Sequence, residues 1–221
     1  MPEFCLFIIA AIVAYLVSGI NPAIVMSNAI YHKDIRTCGS GNPGFTNFKR
    51  EFGNVGWLVL ILDLGKSALL VGVFGLLFGH FYGHYQLGVA FTGLMAMIGH
   101  CYPIYYKFKG GKGFLVGASA IFFMDYRAGL IAFAVMLVIL LSTHFMSLGS
   151  ILSGISCPIS LALFNLSKFS SNSTIMWATE IICIVSVLFM TYRHKGNIVR
   201  LFKGQEKKFY FKKKKVENTT N

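Results

Sequence analysis

Three short stretches of this chain gather the residue types that bind anions. The first, Gly39-Ser40-Gly41-Asn42-Pro43-Gly44-Phe45-Thr46-Asn47-Phe48-Lys49-Arg50, packs three glycines, two hydroxyls, two amides and two cations into twelve positions. The second is Lys107-Phe108-Lys109-Gly110-Gly111-Lys112-Gly113, and the third His194-Lys195-Gly196-Asn197-Ile198-Val199-Arg200. Glycine lets a backbone N–H turn toward a ligand with no side chain in the way, and arginine offers a fork matched to phosphate oxygens. A phosphate monoester carries about −1.5 to −2 charge near neutral pH, so a site for two of them must offset roughly three to four charges. Arg50, Lys109, Lys112, His194 and Arg200 could do so together, and no single stretch could do so alone. Taken singly, each stretch also reads as a solvated basic rim, and the first as a helix-capping loop.

What must position them is a membrane. The chain has 221 residues, 55% hydrophobic and only 13% charged, with a mean hydropathy of +0.65. Soluble domains average about 25% charged residues. The expectation is an all-α, polytopic membrane protein in one domain over residues 1–221, with a basic tail at 193–221. Apolar runs at 4–26, 55–78, 87–106, 113–125, 128–142, 147–166 and 174–192 suggest about seven transmembrane helices. Two of them, 113–125 and 128–142, are short against the roughly 20 residues that a crossing needs. Asn21-Pro22 should kink or end the first. Seventeen of the twenty Lys and Arg fall in loops on one side, which the positive-inside rule makes cytoplasmic, with the N-terminus outside. The net charge of +12 then needs no nucleic acid to explain it. The tail lysines Lys212 to Lys215 read as attraction to anionic lipid or as a solvated end. Five scattered cysteines without a CxxC pair read as small apolar fillers, and no metal site or cofactor is expected.

Several familiar chemistries can be set aside. The run Gly39 to Gly44 satisfies GxGxxG but carries Pro43 and follows a polar loop, so it is no dinucleotide fingerprint. Gly110 to Gly113 lacks P-loop spacing. There is no GxSxG, no HExxH, and no histidine followed five places later by aspartate. The chemistry should therefore need little activation by a protein base. Within the apolar runs, Asp63 and Lys66 stand three apart and suggest a paired intramembrane structure. His100 reads as a packed histidine or as part of the site.

The three stretches together resemble the signature motifs of the bacterial acyl-phosphate:glycerol-3-phosphate acyltransferases. The resemblance rests on Ser40, Gly41, Asn42, Gly44, Thr46, Asn47 and Arg50, then Lys107 to Gly113, then His194, Asn197, Arg200, Leu201, Gly204 and Glu206. Asp34 with Arg36, Asp63 with Lys66, Gly99-His100 with Pro103, and Ser147 to Ser150 extend it over most of the chain. Phe45, His144 and Lys195 depart from the usual pattern. The resemblance implies a seven-helix enzyme of the bacterial inner membrane, with its active site on the cytoplasmic side. It would move a fatty acyl group from acyl phosphate to glycerol 3-phosphate, making lysophosphatidate, with a functional link to an enzyme that produces acyl phosphate. Ser40, Arg50, Lys109, His194 and Asn197 are then expected catalytic residues. Gly41, Asn42, Gly44, Thr46, Asn47, Gly110, Gly111, Lys112, Gly113, Ser147 and Arg200 are expected to bind substrate. His194 would serve as a hydrogen-bond donor or as a general base. A carrier for a phosphorylated anion, or a lipid-binding scaffold, are the competing readings.

Overall fold

The computed structural model describes residues 2–171 and 173–211, with side chains given outside 167–173. The Lys212 to Lys215 run and the side chain of Lys168 therefore lie outside the described residues. Helix α1 (Glu3–Gly19) stops where the sequence asks it to, because Pro22 has no N–H to offer the Ser18 carbonyl. Helix α2 (Pro22–Tyr31) restarts at once, capped by the Asn21 side chain, which accepts from the Ile24 N–H at 3.1 Å. The other end of that amide donates to the Pro43 carbonyl at 3.0 Å, so the break in the first span is tied to the first glycine-rich loop.

Helix α3 (Phe45–Phe52) grows directly out of that loop and turns through Gly53–Val55 into α4 (Gly56–Tyr82). Then come α5 (Tyr85–Cys101), α6 (Phe114–Met124), α7 (Tyr126–Thr143), α8 (Met146–Ser171), α9 (Ser173–Arg193) and α10 (Lys195–Phe202). Packing is mainly α1 on α5, α5 on α4, and α7 on α8, with α6 set among α4, α5 and α7. Outward faces are apolar: Ile61, Leu69 and Leu76 of α4 are all more than half exposed, while its inward face buries Val59, Asp63, Ser67 and Val71. Such a helix has lipid as its solvent.

Among the described residues, six helical stretches are long and apolar enough to cross a membrane, and α6 is a seventh, shorter apolar helix. The two runs that looked short separate here. The segment 128–142 gains length at its start, because the Asp125 side chain accepts from the Arg127 N–H at 2.9 Å and begins α7 at Tyr126. The 11 residues of α6 do not gain length. At 1.5 Å per residue they rise about 16 Å, roughly half of a hydrocarbon core.

The Asp63–Lys66 pair is formed, at 2.9 Å. Lys66 Nζ also donates to the carbonyls of Ser18 and Ile20, at 2.9 and 2.7 Å. These carbonyls are the ones that the break before Pro22 leaves without helical partners, so one half-buried cation closes α1 against α4. His100 Nδ1 stands 3.6 Å from Asp63 and 3.5 Å from Lys66 Nζ, which joins α5 to the same cluster. Cys101, Cys157 and Cys183 are buried free thiols.

Candidate functional site

One cavity of about 1090 Å³ is lined at one end by polar residues of all three stretches and runs on between α4, α6, α7, α8 and α9. Its polar end holds Ser40, Asn42, Gly44, Thr46, Asn47 and Arg50 of the first stretch. Lys112 and Gly113 come from the second, and His194, Asn197 and Arg200 from the third. Beyond them the wall turns apolar, through Phe114, Ile121 and Met136 to Cys157 and Cys183.

Local geometry explains how the first stretch forms a concave lip. Gly39 and Gly41 sit at φ of +57° and +71°, a region open to glycine at little cost. Asn47 is buried and stitches the lip together. It accepts from the Ser40 N–H at 2.9 Å and donates to the carbonyls of Cys38 and Ile35, at 3.0 and 3.4 Å. Gly44 then caps α3, whose first-turn N–H groups give the cavity a positive rim.

The second and third stretches are joined by a chain of hydrogen bonds. Lys112 Nζ donates to Asn197 Oδ1 at 2.5 Å, and Asn197 Nδ2 to Glu206 Oε1 at 2.6 Å. Ser147 Oγ donates to the same oxygen at 2.7 Å, while Arg200 Nε donates to Glu206 Oε2 at 2.7 Å. Glu206 is thus the hub. Burial works to raise its carboxyl, but the hydrogen bonds from Asn197, Ser147 and Arg200 outweigh it and hold the group below the ordinary value. Burial pushes Lys112 down to about 8, with Glu206 opposing and Arg200, Arg50 and Arg193 assisting. Burial and the nearby Lys112 charge push His194 down to about 4, so its ring is neutral at physiological pH. Its Nδ1 lies 2.9 Å from the Met190 carbonyl, which can only accept, so Nδ1 carries the proton and Nε2 has a free lone pair. Of the two roles open to His194, donor or base, neither is a strong one: the ring offers an acceptor of low basicity.

The expected residues do not all meet. Lys109 is exposed and lines no part of the cavity, and Gly41, Gly110 and Gly111 are not among its lining residues. Gly110 and Gly111 do a different job. Their N–H groups bond the carbonyls of Cys101 and His100, at 3.2 and 3.1 Å, and a Cβ on Gly111 would run into the His100 ring. Ser147 reaches the site but gives its proton to Glu206. Two residues were given no role from the sequence. Glu206 closes the third motif and was legible there as part of the pattern. Arg193 donates from Nε and Nη2 to the Gly111 carbonyl at 3.3 and 3.0 Å, lies over the Tyr102 ring at 4.6 Å, and so props the second stretch. Its only sequence signal was its place beside His194. Phe45 and His144, where the sequence departs from the pattern, both meet Phe209: Phe45 through its ring at 5.8 Å, His144 through its carbonyl at 2.7 Å.

Among the described residues, this multi-span helical protein has a large cavity that joins a cationic, multi-donor end to an apolar channel, an arrangement with the chemistry to receive an anionic head and an apolar tail together. The comparisons agree. Residues 8–204 match the glycerol-3-phosphate acyltransferase family, and the chain belongs to that family of membrane enzymes. It is 36% identical to the glycerol-3-phosphate acyltransferase of Desulforamulus reducens over 201 residues, covering 90% of this chain and 94% of that one. Against the enzyme of Finegoldia magna the identity is 34% over 207 residues, 93% of this chain and 98% of that one. A crystal structure of PlsY (YgiH), an integral membrane glycerol 3-phosphate acyltransferase in its glycerol 3-phosphate form, superposes with a TM-score of 0.78 at 32% identity, over 92% and 96% of the two chains. The lysophosphatidic acid form gives 0.74 at 31%, over 93% and 96%.

Proposed function

We propose that this protein transfers a fatty acyl group from acyl phosphate to glycerol 3-phosphate, giving 1-acylglycerol 3-phosphate and inorganic phosphate. The observation that carries the reading is the single cavity that joins Arg50, Lys112 and Arg200 to an apolar channel between helices. Glycerol 3-phosphate and the phosphate of the donor would share the cationic end, and the acyl chain would lie in the channel. Arg50, Lys112 and Arg200, set against the Glu206 carboxylate, supply part of the charge that two phosphates need. The lip N–H groups and the hydroxyls of Ser40 and Thr46 offer the remaining contacts.

Acyl phosphate is a mixed anhydride and is already activated. The acceptor hydroxyl attacks the acyl carbon, an ester C–O bond forms, the C–O bond to phosphate breaks, and phosphate leaves with the electron pair. A neutral His194 of low basicity suits orienting that hydroxyl, by accepting its hydrogen bond at Nε2, better than removing its proton. The proton then passes to the departing phosphate. Catalysis on this account comes from placing two anions together and from cations that stabilise the developing charge. Ser40, Arg50, Lys112 and Asn197 are assigned to that task, with Arg200 and Ser147 holding Glu206 in place. Lys109, outside the cavity, is assigned to attracting anions to its mouth. Residues 1–221 act as one domain in the bacterial inner membrane, with the cationic end facing the cytoplasm, where an enzyme that makes acyl phosphate would supply the donor.

Purified protein in detergent or nanodiscs should convert acyl phosphate and glycerol 3-phosphate to lysophosphatidate with release of phosphate, and should not use acyl-CoA. Arg50→Ala should lose turnover while keeping its thermal transition. Flux of glycerol 3-phosphate into liposomes without acylated product would replace this reading with that of a carrier.

A further inference from the structure

Downstream of the residues matched by the family, the chain folds back over its own site. Glu206 is pinned by Asn197, Ser147 and Arg200, and from there Lys207 to Phe211 run without regular structure, with Lys207 and Phe211 lining the cavity. Arg50 Nη2 donates to the carbonyls of Lys207 and Lys208, at 2.8 and 3.3 Å. Phe209 is 2% exposed, packed with Phe45 and Leu140, and its N–H donates to the His144 carbonyl at 2.7 Å. Phe211 stacks on Trp57, with ring centroids 6.3 Å apart and planes 8° from parallel.

We propose that Lys207–Phe211 is a strap that competes with the acceptor's phosphate for Arg50 and must lift for glycerol 3-phosphate to bind. The inference rests on the function proposed above and adds its regulation. Two neutral carbonyls hold the guanidinium in the closed arrangement. A phosphate offers the same fork charged oxygens, which form shorter and stronger hydrogen bonds, so Arg50 favours the exchange. Burial of Phe209 opposes it, because the ring must leave its slot beside Phe45. Glu206 is held on three sides and stays, so lifting involves only the residues after it. Closed, the strap covers the cationic end; open, it leaves Arg50 to the phosphate.

The test uses the full-length chain in nanodiscs. Phe209→Ala removes the anchor that opposes opening, and Phe211→Ala loosens the far end without touching the buried slot. Either should lower KM for glycerol 3-phosphate by about threefold or more, since less apolar burial then has to be given up before the strap lifts away from Arg50. KM for acyl phosphate should change less. An unchanged or raised KM for glycerol 3-phosphate in both variants overturns the proposal. A second readout does not depend on turnover. In a Trp177→Phe background Trp57 is the remaining tryptophan, and its emission should change on titration with glycerol 3-phosphate or inorganic phosphate as Phe211 unstacks. A flat titration with both anions also overturns the strap. A parent chain that makes no lysophosphatidate would defeat the acyltransferase reading, while the fluorescence titration would still decide the strap.

Discussion

Glu206 is where loss of a single charge should be felt at several points together. In Glu206→Gln the side chain keeps its length, but its amide nitrogen must face either Asn197 and Ser147 or Arg200, all of which present hydrogen. At least one donor loses its acceptor, which costs about 1–3 kcal/mol when buried. The glutamine nitrogen should turn toward Arg200, whose side chain is 39% exposed, so water recovers part of the loss and the lower end of that range applies. About 1 to 1.5 kcal/mol is close to tenfold in kcat/KM. Glu206→Ala strands all three donors, for about 3–7 kcal/mol in sum, and should cost kcat/KM at least a hundredfold. A second consequence separates this network from a merely structural one. Glu206 holds the Lys112 pKa up against burial, so without its charge Lys112 falls below about 8. Lys112 is charged below its pKa, and kcat/KM should therefore decline as pH rises through that value. In Glu206→Gln the decline should begin at lower pH than in the parent. The assay is the pH profile of kcat/KM for glycerol 3-phosphate, with thermal unfolding run alongside. A glutamine variant whose alkaline limb coincides with the parent's, or an alanine variant within twofold of it, would refute the reasoning.

Other perturbations probe other parts of the fold. Lys112→Arg keeps the charge at any accessible pH, so the alkaline limb near 8 should disappear up to about pH 9.5, whatever the loss in absolute rate. Cys157→Trp fills the inner end of the apolar channel and should lower kcat/KM for the longest acyl phosphates selectively; equal loss at every chain length would place the acyl group elsewhere. Lys66→Met strands Asp63 and the carbonyls of Ser18 and Ile20, and should cost about 3–5 kcal/mol of stability, read as a lower thermal midpoint. Adding Asp63→Asn should restore part of it.

The sequence by itself determined the membrane class, the approximate spans, the break at Pro22, and the three stretches that carry glycines, amides and cations. These are local properties: hydropathy over about 20 residues, a missing N–H, glycine and cation spacing. It also gave the Asp63–Lys66 pair, because positions three apart on a helix are neighbours. Only the tertiary structure decided which cations share the cavity. Lys112 finds Asn197 across 85 positions, and Arg50 finds Lys207 across 157. Pattern alone put Lys109 and Lys112 in the same stretch, yet one is exposed and the other is half-buried and joined to Glu206 through Asn197. The half-length of α6, the bracing by Arg193 and the return of Phe209 against Phe45 were settled in the same way. Contacts between distant segments depend on how helices pack against one another, and no local periodicity carries that register.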